Sequence, residues 1–163
     1  MEKENKKKFL MTGFVGLLLG IFLISVLMFL SAPSLMMIES ESMYDFDETV
    51  SRFKEIVNQS DWGILNTHDM QEVKSNLGYD VLPVKVFDLC SGEYSYEILK
   101  NDDERIVTPM MPCRVSIYEK SNGNTYIGMM NSGLVARLFG GTINEVMQKA
   151  TVETREIVNQ LTV

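Results

Sequence analysis

Phe9 to Leu30 is a run of 22 residues without a single charge, and 15 of them are Leu, Ile, Val or Phe. Coiled as a helix, such a run spans about 33 Å, enough to cross a hydrocarbon core of about 30 Å. Its Leu, Ile, Val and Phe residues each favour insertion by about 0.3–0.6 kcal/mol, and no charge opposes them. The competing reading is a cleaved signal peptide. The run exceeds the usual apolar region of about 7–15 residues in such peptides, and Leu30-Ser31-Ala32-Pro33 is a poor small-x-small cleavage site. The sequence therefore predicts an uncleaved anchor that takes the lipid bilayer as its partner through residues 9–30.

Lys3, Lys6, Lys7 and Lys8 precede the span, whereas only Ser31 to Ser34 follow it directly. Positive flanks stay cytoplasmic, so a cytoplasmic basic tail (1–8) and a single-pass cell-membrane protein with an extracytoplasmic body are expected. Thr12, Gly16 and Gly20 form a small-xxx-small ladder. It reads either as a helix-pairing face or as the glycine common in membrane helices.

After the span, Ala32-Pro33-Ser34 suggests a short tether over 31–36, and residues 37–163 form one further domain. From Leu35 onward the chain has 11 Lys and Arg against 20 Asp and Glu, a net charge of about −9. Nucleic acid is excluded as a partner, because phosphate contacts need a clustered basic surface. Disorder is excluded by a hydrophobic content of 45%. Two cysteines rule out a disulfide-dense miniprotein or a four-thiolate zinc site.

Along this body Leu35–Ser42 alternates as a first strand. Asp45 and Glu48 stand at capping-box spacing before a helix whose apolar stripe is Phe46, Val50, Phe53 and Val57. Trp62–His68 reads as a second strand, Asp69–Leu77 as a short helix stopped by Gly78, and Val81–Leu89 as a third strand with Pro83 near its start. A short helix follows over Ser91–Lys100, then a charged turn at Asn101–Glu104. Arg114–Glu119 and Thr125–Met130 flank Asn122-Gly123, the strongest hairpin signal in the chain. Leu134–Phe139 begins a helix interrupted at Gly140-Gly141. Thr142 and Glu145 then make a second capping box before a long amphipathic helix with Ile143, Val146, Met147, Ala150, Ile157, Val158 and Leu161 on one stripe. The predicted class is α+β: a single N-terminal transmembrane helix, then a β-α-β-β-β-β-α domain whose mostly antiparallel sheet is packed by helices on one face.

Cys90 ends the third strand and Cys113 precedes the fourth, so antiparallel pairing brings them side by side. In an exported domain that permits a disulfide or redox pair, worth about 3 kcal/mol for such a loop; two separate buried thiols are the other reading. Pro109-Met-Met-Pro112-Cys113, with Met129-Met130 on the neighbouring strand, places thioethers beside a thiol. Cys90, Cys113 and His68 are thus candidate ligands for copper or haem, against methionine as ordinary core filler. On a strand, adjacent methionines point to opposite faces, so one of each pair at most would ligate. His68, the sole histidine, reads either as a thiolate partner or as a satisfied structural group; Arg114 beside Cys113 reads either as a cation that lowers that thiol's pKa or as a strand residue facing away, and His68, Cys90, Cys113 and Arg114 are the candidate ligand-binding residues. GxSxG, P-loop and GxGxxG motifs are absent, so no catalytic residue is assigned and no cofactor is required.

Trp62, Thr67-His68-Asp69, Leu82-Pro83-Val84 leading to Cys90, Pro112-Cys113-Arg114 with Tyr118-Glu119, Asn131, and Phe139-Gly140-Gly141-Thr142 together resemble the domain of unknown function 302 family, and its membrane-anchored branch in particular. The resemblance runs from about Met37 to the C-terminus and departs from it at Cys90-Ser91-Gly92, where such proteins often carry Cys-Asn-Pro. It implies a TBP-like α+β domain and homo-oligomers, and it implies no established activity. The function expected is a membrane-anchored binding or interaction domain, redox-responsive through the cysteine pair, with a haem- or copper-binding redox protein as the alternative.

Overall fold

A computed structural model describes the backbone of residues 2–163 and the side chains from residue 11 onward. The side chains of the lysine tail lie outside the described residues. Two compact units result, residues 1–35 and 36–163. The first is helix α1 (Glu2–Met36), and the stretch Met11–Met36 is long and apolar enough to cross a membrane. None of its apolar 18-residue window is buried by protein. The segment expected to be a tether continues this helix instead, with Pro33 inside it.

The second unit is a five-stranded, wholly antiparallel sheet in the order β1-β5-β4-β3-β2. Its strands are β1 (Met37–Glu41), β2 (Gly63–Asp69), β3 (Val84–Cys90), β4 (Cys113–Glu119) and β5 (Thr125–Met130). Helices α2 (Phe46–Asn58) and α6 (Gly141–Asn159) cover one face, and the shorter α3 (Met70–Ser75), α4 (Gly92–Leu99) and α5 (Ser132–Ala136) serve as connections. The α+β class and the single helical layer are as the hydrophobic patterns require.

Local chemistry accounts for most boundaries. Asp45 caps α2 by accepting from the Glu48 amide at 2.9 Å, which satisfies one of the orphan donors of the first turn. Pro83 sits just before β3, where its missing donor breaks no ladder bond. Between β4 and β5 the Lys120 amide bonds the Asn124 carbonyl at 3.0 Å, and only Gly123 takes positive φ, at 82°. The hairpin therefore closes by a three-residue loop with glycine in the left-handed position, not by a two-residue turn with both residues there.

Three further expectations fail. The capping box at Thr142 does not form: Gly140 and Gly141 take φ of 68° and 52°, and α6 starts at Gly141, so Thr142 is already inside it. Residues expected to be a charged turn and an unassigned stretch form a 3₁₀ segment, Asp102–Met110, carrying Pro109. The preceding helix also differs, running from Ser132 to Ala136 rather than through Phe139.

The main core lies between the sheet and its helices: Phe53, Val57, Phe87, Leu89, Val115, Ile117 and Ile127 are at most 1% exposed. Phe53 and Phe87 meet with ring centroids 5.0 Å apart and planes tilted by 53°, within the contact range of packed aromatic pairs. Each such side chain contributes about 1.5–3 kcal/mol by leaving water. A smaller core gathers Ile98, Val107, Ala136, Ile143, Val146 and Met147, where α4, the 3₁₀ segment, α5 and α6 converge. The C-terminus is tied back to β1, with the Val163 amide on the Glu41 carbonyl at 3.3 Å.

Candidate functional site

The strand register decides where the singled-out residues go. Cys113 lies opposite Leu89 and therefore shares the helix-covered face with Leu89, Val115 and Ile117. Cys90 comes one residue later, at the last position of β3, where the chain turns into α4. Both are free thiols, half-buried, and the Cys90 Sγ lies 3.6 Å from the Ser91 carbonyl oxygen. They are not joined by a disulfide, because the register offsets them by one residue instead of setting them face to face.

The two thiols nonetheless border a common space. A cavity of about 30 Å³ is walled by Trp62, Leu89, Cys90, Tyr94, Met111 and Cys113, among others. A second, of about 120 Å³, is walled by the run Pro109 to Val115 with Met129, Met130, Ser132 and Thr154. Met111, Pro112 and Cys113 belong to both walls. Burial first, and the neighbouring Cys90 second, push the Cys113 thiol up to about 11, so at neutral pH Cys113 is a protonated, poorly nucleophilic group.

A carboxylate missed by sequence reasoning fixes the smaller cavity. Glu153 of α6 accepts from the Trp62 indole Nε1 at 2.9 Å and from the Tyr94 hydroxyl. The hydrogen bond to Glu153 pushes Tyr94 up to about 12. Its signal was present: Val146, Ala150, Glu153 and Ile157 follow one helical stripe, and a carboxylate on a buried stripe requires a donor.

His68 belongs elsewhere. It pairs with Val86 in the ladder, three residues along β3 from the partner of Cys113. Three residues are about 10 Å and a change of face. His68 Nε2–H donates to Asp88 Oδ2 at 2.8 Å, and Arg114 Nε donates to Asp88 Oδ1 at 3.1 Å. Asp88 is 8% exposed, and His68 first, then Arg114, hold its carboxyl below the usual range. The candidates thus split into a thiol pair on the core side and a His68–Asp88–Arg114 network on the outer face. Cys90, Cys113 and His68 do not converge as one ligand set, and no cluster of three His, Cys, Asp or Glu residues suited to a metal occurs among the described residues.

The profile of the family described as Domain of unknown function DUF302 matches residues 38–161. The chain belongs to the DUF302 family. A crystal structure of an uncharacterized conserved DUF302 protein from Bacillus stearothermophilus superposes with a TM-score of 0.69 at 19% identity, covering 77% of this chain and 98% of that one. At that identity the likeness concerns the fold. No curated protein matches the chain. The DUF302 match begins one residue after the start of β1, so α1 lies outside it.

Proposed function

We propose that this DUF302 protein is a membrane-anchored binding domain, with its lysine tail cytoplasmic and its body extracytoplasmic, whose ligand site is the pair of cavities meeting at Cys113. The carrying observation is the shared wall: Met111, Pro112 and Cys113 separate two unfilled spaces, and Cys90 borders one of them. The surroundings are mostly thioethers, aromatic rings and aliphatic side chains, with Arg114 and the hydroxyls of Ser91, Ser95, Ser132 and Thr154 as the polar groups and no carboxylate or histidine among the lining residues. That composition favours binding over catalysis.

The thiol pair makes the site redox-responsive. Cys90 is the last residue of β3, paired with Gly63 at the end of the β2–β3 ladder. Its thiolate attacks an incoming disulfide and expels one thiol. The Cys113 sulfur then gives up its proton and displaces the second thiol as the Cys90–Cys113 bond forms. Two thiols are oxidised and one external disulfide is reduced. Trp62, the sole tryptophan, borders the same cavity and reports the change.

The test exposes the full-length chain in detergent to oxidised glutathione. An intramolecular disulfide, seen by intact mass as the loss of two hydrogens, should form with a shift of Trp62 emission, both reversed by dithiothreitol. Glutathione adducts alone, with unchanged emission, would defeat the redox reading. Orientation is read separately, by labelling an added cysteine beyond Val163 in sealed cells with a membrane-impermeant reagent.

A further inference from the structure

The larger cavity has an unusual wall. Met110, Met111, Met129 and Met130 surround Cys113, so four thioethers and a thiol border one space of about 120 Å³. Methionine commonly fills irregular gaps in cores, but gap-filling side chains leave no space of this size behind. The opposed-face rule keeps Met129 and removes Met130: Met129 lies opposite Val115 on the face of Cys113 and is 5% exposed, whereas Met130 is 43% exposed. The rule does not reach Met110 and Met111, because Met110 ends the 3₁₀ segment, Met111 caps it, and neither belongs to a strand.

Resting on the reading that these cavities are the ligand site, we infer that the larger one takes a soft monovalent metal ion, Cu(I) in chemical class, held by the Cys113 sulfur and the thioethers of Met110, Met111 and Met129. Sulfur donors select soft ions, and no carboxylate lines the wall to attract a hard one. Charge selects the valence. The ion displaces the Cys113 proton, and a monovalent cation on one thiolate leaves a neutral unit, which a wall without carboxylates accepts; a divalent ion would leave an unpaired positive charge there. Arg114 borders the space, but its guanidinium is engaged with Asp88. The volume, well below the roughly 300 Å³ at which pockets for drug-sized molecules begin, suits an ion and excludes a haem ring.

The experiment uses the reduced full-length chain in detergent without oxygen. Ag(I) serves as a redox-inert probe in calorimetry, and Cu(I) is set against a chromophoric chelator. One ion per chain should bind. Met111→Leu and Met129→Leu should each weaken binding at least about tenfold, with melting little changed because Met and Leu are nearly volume-conserving. His68→Gln should leave affinity as it was. The inference is overturned if the combined Met110→Leu, Met111→Leu and Met129→Leu chain binds as tightly as the original, which marks ordinary thiol capture, or if no ion competes with the chelator. Failure of disulfide formation with intact Ag(I) binding would sink the redox reading alone. Disulfide formation without Ag(I) binding would sink this one.

Discussion

Asp88 offers the sharpest test of the outer-face network, because one nearly buried carboxylate holds two partners of unequal exposure. Its side chain is 11% exposed, that of His68 39% and that of Arg114 68%. A hydrogen bond to a charged group contributes about 1.5–3 kcal/mol. The Arg114 bond belongs at or below the bottom of that range, since water replaces it at a mostly exposed guanidinium. Asp88→Asn keeps an oxygen for Arg114 but turns an amide donor toward His68 Nε2, so the expected loss at pH 7 is about 1–2 kcal/mol, mostly from the histidine bond. For a domain of this size that lowers the melting temperature by roughly 3–6 °C. The pH dependence follows from the depressed carboxyl of Asp88. A group whose folded pKa is lowered stabilises the fold above its unfolded value of about 3.9, and that contribution disappears as pH falls through the folded value. Urea unfolding followed by circular dichroism should show the gap between wild type and Asp88→Asn narrowing from pH 7 to pH 3. A gap that is constant over that interval, or absent at pH 7, would refute the assignment of a stabilising charge at Asp88.

Three further outcomes are expected. Gly133→Ala should cost about 1–3 kcal/mol in urea unfolding, because a Cβ there meets the Gln148 Oε1 and Thr151 Oγ1 atoms, both at 3.1 Å, inside a buried hydrogen-bonded cluster. Tyr94 is raised to about 12, so the stabilisation from its bond to Glu153 is complete below about pH 10 and lost as pH climbs toward 12; Tyr94→Phe should flatten that alkaline decline in a thermal melt series. Cys113, raised to about 11, should resist iodoacetamide at pH 7 in the folded chain and react faster as pH approaches 11, as read by peptide mass mapping in the Cys90→Ser background.

Sequence reasoning reached the elements whose pattern is local. The uncharged span from Phe9 to Leu30 announces α1, the stripe from Ile143 to Leu161 announces α6, and Asn122-Gly123 announces the β4–β5 hairpin. It did not reach facts that depend on long-range register. That β1 pairs with β5 rather than β2 follows from burying Ile38 beside Met129, a contact across about ninety residues. That His68 and Cys113 lie on opposite faces follows from a three-residue offset along β3, which neither residue type encodes. The capping-box spacing of Thr142 and Glu145 misled because two glycines upstream start the helix first.

The candidate site lies where those two kinds of information meet. The sheet core is built by regular alternation; the second core sets α4, the 3₁₀ segment and α5, short pieces whose residues follow no long period, against the first turns of α6. Tyr94 packs against both, and Met110 and Met111 pack against the second at the point where the chain turns into β4. A regular layer and an irregular one do not interdigitate to full density, and flexible thioethers are the side chains best able to border the remaining space. Cys113 is the first residue of β4 and is thus carried by the rigid sheet, while Met110 and Met111 are carried by the irregular segment. A ligand held between them would stabilise the seam between the two cores. On this reasoning Ag(I) should raise the melting temperature of the whole body rather than protect one helix, and hydrogen exchange should slow on α4 and the 3₁₀ segment together.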